Sequence, residues 1–364
     1  MRLSWVLLLL TSSQAMCPVS SAQIAPNPVT NKIYAGNQTL PYITVIDGAT
    51  NEPTKIAIGG IPDGMIVNPV TNKIYVALLG DRSLAVIDGA TNQVTKMAVP
   101  AGQYGATVNS VTNKIYIANY YGGKVAVIDG STNDVTILSP GLNPDAIAVN
   151  PVTNKIYITN WESGQATIID GSTNSATRIA IAGKSEGHVI DVNSVTNKIY
   201  IASWAQSKRI TVVDGVTNQT TFIPTASYAF ALAVNSVTNK IYVANAYVGK
   251  VTVIDGATEK TTTIPVGHFP TSLDVNPVTN RIYIANGDLC GGIAVIDGST
   301  EHVTRIKAGT ELESVVVNSA TNKIYAYDPE SVTVINGSTN KAEDVLPLPI
   351  PQGMPRYATS CGSK

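Results

Sequence analysis

Acid/base chemistry is the first function that the side chains of this chain suggest. The sequence contains only three histidines, and two of them, His188 and His268, lie in predicted connecting segments. Glu162 and Glu186 lie in segments of the same kind, and carboxylates beside imidazoles can move protons in a lyase or a hydrolase. No fixed spacing pairs these four residues, and no nucleophile elbow, phosphate-binding glycine loop or zinc-ligand spacing occurs. The sequence therefore favours a non-catalytic protein and predicts neither a cofactor nor a metal site.

Aromatic residues in the predicted loops and connectors form the second candidate site, one for binding. Aromatic side chains grouped on exposed loops supply contact area at a small cost in conformational entropy. The alternative is that the same rings form an extra packing layer over the core. The candidate binding residues are Tyr104, Tyr120, Tyr121, Trp161, Trp204, Tyr228, Tyr247 and Phe269.

Two repeated phrases define the elements that must position these residues. The phrase Asn-Pro/Ser-Val/Ala-Thr-Asn-Lys/Arg-Ile-Tyr occurs eight times, at steps of 41 to 43 residues. The phrase apolar-apolar-Asp-Gly-x-Thr-Asn/Glu follows each copy, with Asn336 in place of Asp in the eighth. A period in the low forties is typical of stacked supersecondary units. The copies of the first phrase begin at Asn27, Asn68, Asn109, Asn150, Asn193, Asn235, Asn276 and Asn318.

Each repeat reads as four short β-runs joined by turns. In residues 229–265 the runs are about six residues long and rich in β-branched side chains, and Asn-Ser-Val-Thr-Asn and Asp-Gly-Ala-Thr-Glu form the turns. Each unit is therefore predicted to be a four-stranded antiparallel meander. Eight such units predict an all-β fold, a single β-propeller with eight blades. The aromatic candidates and the acid/base candidates then share the face formed by the longer loops and the connectors between blades.

The second strand of the repeat carries a more specific signature. It reads Tyr-Ile-Thr-Asn from Tyr157 to Asn160, with close variants at Tyr116, Tyr242 and Tyr283. The chain after its leader resembles the YVTN family of β-propeller repeat proteins and is similar to surface-layer-associated propellers. Rings in that family commonly have seven blades, so seven is the alternative to the count of eight. The resemblance also implies a third function, a structural component of a cell-surface layer.

The N-terminus resembles a secretory signal. Arg2 is followed by an apolar run over residues 5–10 and by two small-x-small cleavage candidates, after Ala15 and after Ala22. The run is too short to span a bilayer, and the alternative is a buried N-terminal strand. We therefore expect residues 1–22 to be a signal and N-terminal arm, and the protein to be exported to the periplasm, the medium or the cell surface. The mature chain is expected to contain no transmembrane segment.

The C-terminal tail, residues 347–364, is expected to close the ring formed by residues 23–346. Residues 350–354, Ile-Pro-Gln-Gly-Met, match residues 61–65, Ile-Pro-Asp-Gly-Met, which lead into an innermost strand. The tail is therefore predicted to supply the innermost strand of blade 1. This placement makes a Cys17 to Cys361 disulfide plausible if cleavage follows Ala15. The alternatives are a bridge between Cys290 and Cys361, or free thiols.

Charge excludes one class of partner. With 24 Lys and Arg against 25 Asp and Glu, the formal net charge is −1, and no global positive field exists to attract nucleic acid. The sequence thus favours an exported, non-catalytic propeller that binds a protein, a peptide or a surface glycan through its aromatic loop face. A propeller enzyme and a surface-layer component are the alternatives.

Overall fold

The fold is all-β and forms a ring of eight four-stranded antiparallel sheets. A computed structural model describes residues 23–37, 39–99, 103–120, 122–141, 143–161, 163–183, 187–204, 207–288 and 291–349, apart from the side chains of residues 103 and 104. The prediction of a β-propeller with eight blades is confirmed, and the alternative of seven blades is wrong. Among these residues the only helix is one 3-10 turn, Ala246–Val248.

The strands follow the repeat along the chain. Blades 1 to 4 consist of β1 Ile24–Asn27, β2 Lys32–Gly36, β3 Tyr42–Asp47, β4 Pro53–Ala57, β5 Pro62–Asn68, β6 Lys73–Leu78, β7 Ser83–Asp88, β8 Val94–Ala98, β9 Gln103–Asn109, β10 Lys114–Asn119, β11 Lys124–Asp129, β12 Val135–Leu138, β13 Pro144–Asn150, β14 Lys155–Asn160, β15 Gln165–Asp170 and β16 Ala176–Ala180. Blades 5 to 8 consist of β17 His188–Asn193, β18 Lys198–Ser203, β19 Arg209–Asp214, β20 Thr220–Pro224, β21 Ala231–Asn235, β22 Lys240–Asn245, β23 Lys250–Asp255, β24 Thr261–Pro265, β25 Pro270–Asn276, β26 Arg281–Asn286, β27 Gly292–Asp297, β28 Val303–Ile306, β29 Ser314–Asn318, β30 Lys323–Asp328, β31 Ser331–Asn336 and β32 Lys341–Pro347.

The path of the chain creates two distinct faces. In every blade the sheet order is the chain order, and the first strands of neighbouring blades contact one another around the axis, including β1 with β29. Because successive strands are antiparallel, the two turns within each blade lie on one face of the ring, here named the turn face. The loops between second and third strands, and the connectors between blades, lie on the opposite face, here named the connector face.

The core lies between the blades. Eight apolar clusters occur among the described residues, and each joins two neighbouring blades, including blades 8 and 1. Each cluster contains one tyrosine of the repeated column, and the cluster where blade 8 meets blade 1 also contains Tyr327. Each of the column tyrosines is at most 2% exposed. Burial raises the pKa of Tyr34, Tyr116, Tyr157 and Tyr200 to about 12. The column is therefore scaffold and remains neutral at any physiological pH.

A closed circle of asparagine side chains explains why the first phrase repeats. The first asparagine of each copy is buried, and its Oδ1 accepts the amide N–H two residues later, which forms the turn. The second asparagine adopts a left-handed backbone with φ of 51–54°, a conformation that asparagine tolerates. The first asparagine donates its Nδ2 to the second asparagine of the next blade at 2.7–3.1 Å. The bonds are Asn27 to Asn72, Asn68 to Asn113, Asn109 to Asn154, Asn150 to Asn197, Asn193 to Asn239, Asn235 to Asn280, Asn276 to Asn322 and Asn318 to Asn31.

The second phrase is also structural. The Asp47 carboxylate accepts the amide N–H groups of Ala49 and Thr50, and these bonds hold its pKa below the ordinary value. A Cβ on Gly48 would lie 2.4 Å from the backbone oxygen of Asn31, so only glycine fits where the two turns of a blade meet. The Lys323 ammonium donates to the oxygen of Gly48 in the next blade at 2.8 Å. The repeated charges of the turn face therefore hold adjacent blades together.

Blade 1 obtains its innermost strand, Ile24–Asn27, from its own repeat. Residues 350–364 lie outside the described residues, so the prediction that the tail supplies an innermost strand stays a prediction. Residues 1–22 and all three cysteines also lie outside them, and the signal and the disulfide remain untested. Among the described residues, no helix has the length and apolar character needed to cross a membrane.

Candidate binding face

Five rings from blades 5 to 7 pack together on the connector face, and we name them the aromatic cluster. Phe230 lies at its centre, with ring centroids 5.0 Å from Trp204, 5.2 Å from Phe269 and 5.9 Å from Tyr247. Tyr247 also contacts Tyr228 and Phe269, both at 6.1 Å. All these pairs are edge-to-face, the arrangement that the ring quadrupole favours. The structure thus brings together four of the aromatic residues predicted from the sequence.

The aromatic cluster has a buried base and an exposed top. Phe230 is 6% exposed, whereas Tyr247 is 62% and Phe269 37% exposed. Trp204 and Tyr228 are half-buried. Phe230 was not among the candidates from the sequence, because it reads as part of the β-run before β21. Its rarity was the available signal, since the chain contains only three phenylalanines.

The backbone presents Phe269 in an unusual conformation. Its φ is 49°, in the left-handed region that bulky side chains rarely adopt, and such strain persists only where the surrounding structure enforces it. The Phe269 oxygen accepts the Gly287 N–H at 2.9 Å. A Cβ on Gly287 would lie 2.5 Å from Thr271 and 3.5 Å from the Phe269 ring. Glycine at 287 therefore leaves the space in which this exposed ring is held.

A buried amide fixes the connector that carries Tyr228. Asn245, at the end of β22, donates its Nδ2 to the Ser227 oxygen at 2.8 Å and accepts the Thr252 hydroxyl at 2.6 Å. The Thr252 hydroxyl in turn accepts the Ala226 N–H at 3.1 Å. These bonds order residues 226–228 without a ligand, so the aromatic cluster is preorganised.

A second aromatic pair lies on blades 3 and 4. Tyr120 and Trp161 are both half-buried and meet edge-to-face with centroids 5.4 Å apart. The aromatic crescent predicted from the sequence thus consists of this pair and the aromatic cluster. Tyr121 and the side chain of Tyr104 lie outside the described residues.

Ionisable side chains also lie on the connector face. The Lys208 ammonium lies 5.9 Å from the centroid of the Tyr228 ring, and His268, beside Phe269, is exposed. Blade 8 instead carries carboxylates: burial, followed by the neighbouring charge of Asp328, raises the pKa of Glu313, and burial raises that of Asp328. Lys208 and an exposed histidine therefore lie beside the aromatic cluster, and blade 8 carries carboxylates on the same face.

The acid/base candidates are not assembled into one site. His188 begins β17, and its Nδ1 lies 2.7 Å from Oδ2 of Asp145 in β13 of the preceding blade. Asp145 also accepts the Thr159 hydroxyl at 2.5 Å. The His188 side chain is 0% exposed, and its Nε2 has no hydrogen-bond partner among the described residues. His268 lies in another connector, and Glu162 and Glu186 fall outside the described residues.

An irregular strand explains why the sequence did not pair Asp145 with His188. The register of β13 shifts between Pro144 and Ile147, and such a bulge redirects a side chain. Asp145 thereby reaches the innermost strand of blade 5. Among the described residues, no three His, Cys, Asp or Glu side chains are grouped so as to hold a metal ion.

Two further carboxylates lie on the innermost strands and were not candidates from the sequence. The Asp191 carboxylate accepts the amide N–H of Val234 in the next blade at 2.8 Å, and Asp274 accepts that of Val317 at the same distance. Burial raises the pKa of both to about 7, against the opposing effect of these bonds. The charge of Asp191 further raises the pKa of Asp274.

Comparison with known proteins supports the class of protein that this geometry defines, an eight-bladed β-propeller. No protein-family model and no curated protein sequence matches the chain. Among solved structures, it is similar to dihydro-heme d1 dehydrogenase NirN in complex with DHE, with a TM-score of 0.70 and 14% identity over 92% of this chain and 77% of that one. It is also similar to Kuenenia stuttgartiensis hydrazine synthase, with a TM-score of 0.59 and 15% identity over 89% of this chain and 97% of that one. At these identities the similarity shows the fold.

Proposed function

We propose that this protein is an exported, non-catalytic β-propeller of the YVTN type that binds a partner through the aromatic cluster. The observation that carries the proposal is the exposure of Tyr247 and Phe269, at 62% and 37%, above a buried Phe230. Large exposed rings on a rigid base are typical of the residues that dominate binding energy. The solved structure of the similar protein NirN contains the ligand DHE, which agrees with a binding role for a propeller of this kind.

The alternative of an extra packing layer fits Phe230 better than its neighbours. A packing layer needs rings shielded from water, and Tyr247, at 62% exposed, contributes little to such a layer. The left-handed backbone at Phe269 costs conformational energy, on the order of 1–3 kcal/mol, which a ring needed only for packing would not require. Both features support presentation of the rings to a partner.

The partner classes follow from the chemistry of the aromatic cluster. Its rings offer faces for sugar rings or for apolar side chains, and Lys208 and His268 offer donors to acidic groups. A protein, a peptide or a surface glycan fits these features.

Tryptophan fluorescence tests the proposal directly. Trp161 and Trp204 are the only tryptophans after residue 22, and Trp204 contacts Phe230. The protein would be titrated with surface-glycan fragments and with peptides from culture medium. We expect a saturable shift, and we expect Tyr247→Ala with Phe269→Ala to weaken binding by at least about 30-fold, equivalent to roughly 2 kcal/mol.

Phe222→Ala is the matched control. Phe222 is an aromatic residue, 45% exposed, in the outermost strand β20 of blade 5, so its loss removes an exposed ring away from the connector face. We expect this variant to bind as the parent does. If the Tyr247 and Phe269 variant instead loses thermal stability while binding is retained, the rings form a packing layer and the proposal is wrong.

A second candidate function, a lyase or hydrolase, is favoured by one contact. The Asp145 carboxylate orients the His188 imidazole and leaves Nε2 without a partner, an arrangement that acid/base catalysis uses. The burial of the His188 side chain argues instead that this contact stabilises the packing of blade 4 against blade 5. Turnover of a substrate that is lost in His188→Gln but retained in the Tyr247 and Phe269 variant would establish the enzyme and displace the binding proposal.

A further inference from the structure

Gln23, the residue before β1, has a buried carboxamide without hydrogen-bond partners among the described residues. It is 2% exposed, and neither Nε2 nor Oε1 has a hydrogen-bond partner among the described residues. A Cβ on Gly36 would lie 2.8 Å from the Gln23 Oε1, 3.2 Å from the methyl group of Met65 and 3.2 Å from the ring of Pro62. The carboxamide therefore lies in an apolar space between blades 1 and 2. Burial of a primary amide without partners is unfavourable.

The main chain of Gln23 is held firmly in place. Its backbone oxygen accepts the Gly36 N–H, at 2.6 Å, and continues the ladder of β1 with β2. The conflict therefore lies in the carboxamide and not in the backbone. A modification that removes the primary amide but keeps the backbone oxygen would relieve the conflict.

The leader places Gln23 at a reactive position. Both cleavage candidates have a serine at the small-residue position, Ser13 for Ala15 and Ser20 for Ala22, and cleavage after Ala22 gives a signal of 22 residues. Cleavage after Ala15 would give a signal at the lower limit of the usual length of roughly 15–30 residues. Cleavage after Ala22 makes Gln23 the N-terminal residue, with a free α-amine beside its own carboxamide.

We propose that the mature protein begins at Gln23 and that this residue is cyclised to pyroglutamate. The α-amine attacks Cδ of the same residue, the bond from the α-nitrogen to Cδ forms, and the bond from Cδ to Nε2 breaks. Ammonia leaves with the proton that the amine releases, so the reaction needs no oxidant, reductant or second substrate. The product is a lactam with one N–H and one carbonyl oxygen.

Cyclisation removes two unfavourable features of residue 23. It removes the buried primary amide, and it removes the positive charge that an N-terminal ammonium would otherwise bring to the residue before β1. A blocked N-terminus also resists aminopeptidases, which require a free amine. The proposal excludes a disulfide between Cys17 and Cys361, because Cys17 leaves with the leader.

Mass spectrometry of the exported protein tests this modification. The full chain would be expressed with its own leader, and the exported fraction would be analysed as intact protein and as its N-terminal peptide. We expect a chain that begins at residue 23, is about 17 Da lighter than the open form through loss of ammonia, and fails to react with an amine-specific label. A chain that begins at residue 23 with a reactive amine would overturn cyclisation, and any other start, or a retained leader, would overturn the cleavage site.

Gln23→Glu is the matched control. Glutamate has the same length, and its carboxylate cyclises far more slowly than a carboxamide because hydroxide is a poorer leaving group. We expect this variant to be cleaved at the same bond and to react with the amine label. If the Glu variant shows the same blocked N-terminus as the parent, the block does not arise from the Gln23 carboxamide and the proposal is wrong.

Discussion

Two carboxylates of the innermost strands, Asp191 and Asp274, predict that the propeller becomes more stable as the pH falls from 8 to 5. Asp191 is 5% exposed and Asp274 is half-buried, and among the described residues no cationic side chain pairs with either. Burial raises the pKa of each from 3.8 to about 7, so the folded protein holds protons that the unfolded chain has already released at pH 5 to 7. Stability is therefore greatest where both are protonated and is lost as the pH rises through about 7.

The magnitude follows from the two pKa values. A rise from 3.8 to about 7 corresponds to about 4 kcal/mol per carboxylate, at about 1.4 kcal/mol for each pKa unit. Most of this, about 3 kcal/mol for each, falls between pH 5 and 8. The turn-face aspartates do not mask the effect, because their pKa values are lowered and they titrate below this range.

Urea unfolding at pH 5, 6, 7 and 8 measures the effect as a free energy of unfolding. We expect Asp191→Asn to lose about 3 kcal/mol of the change in the free energy of unfolding between pH 5 and 8, because asparagine does not ionise. Its absolute stability will also change, since the amide NH2 replaces one of the oxygens that accept N–H groups from Val192 and Val234. Asp344→Asn, at an exposed position in β32, is the control. A free energy that is flat or rises from pH 5 to 8, or an Asp191→Asn variant with the full parental slope, would refute the reasoning.

Two further predictions concern the contacts between blades. Asn150→Ala is expected to lower the free energy of unfolding, measured by chemical denaturation, by about 1–3 kcal/mol, because it leaves the Asn197 oxygen and the turn N–H groups without their partner. Gln93→Ala, at an exposed position, is the control and should have no measurable effect. His188→Ala is expected to lower the free energy of unfolding by about 3–5 kcal/mol, because it leaves the Asp145 carboxylate buried without its imidazole. In a double-mutant cycle, adding Asp145→Ala should recover part of this loss. Strictly additive losses would contradict the pairing.

Most of the fold could be predicted from the sequence because its determinants are local and repeat. The asparagine at the end of each first strand and the glycine after each aspartate define the turns, and the β-runs between them define the strands. The number of blades follows from counting these turns. The first blade was harder to predict. Its innermost strand, β1, has only the four residues Ile24–Asn27, and the sequence suggested that the tail was needed to complete the blade.

The candidate site was predicted less completely, because its contacts join different blades. The positions of Trp204, Tyr247 and Phe269 on one face follow from the repeat, but the central role of Phe230 depends on how neighbouring blades pack. The pairing of Asp145 with His188 depends on an irregular register that no spacing reveals. Backbone strain at Phe269 is likewise a property of the folded connector.

The junction between blades 8 and 1 shows how the first and last of eight similar repeats recognise each other. It has the same asparagine bond as the other junctions, through Asn318, and Lys323 binds the glycine oxygen of the next blade as Lys32 does. It differs at the second position after the column tyrosine, where blade 8 has Tyr327 and blade 1 has Gly36. The Tyr327 ring is 1% exposed, and its hydroxyl donates to the Gly36 oxygen at 3.0 Å. The largest side chain at this position thus meets the smallest across the junction, and this complementarity favours pairing of the first blade with the last over any other partner.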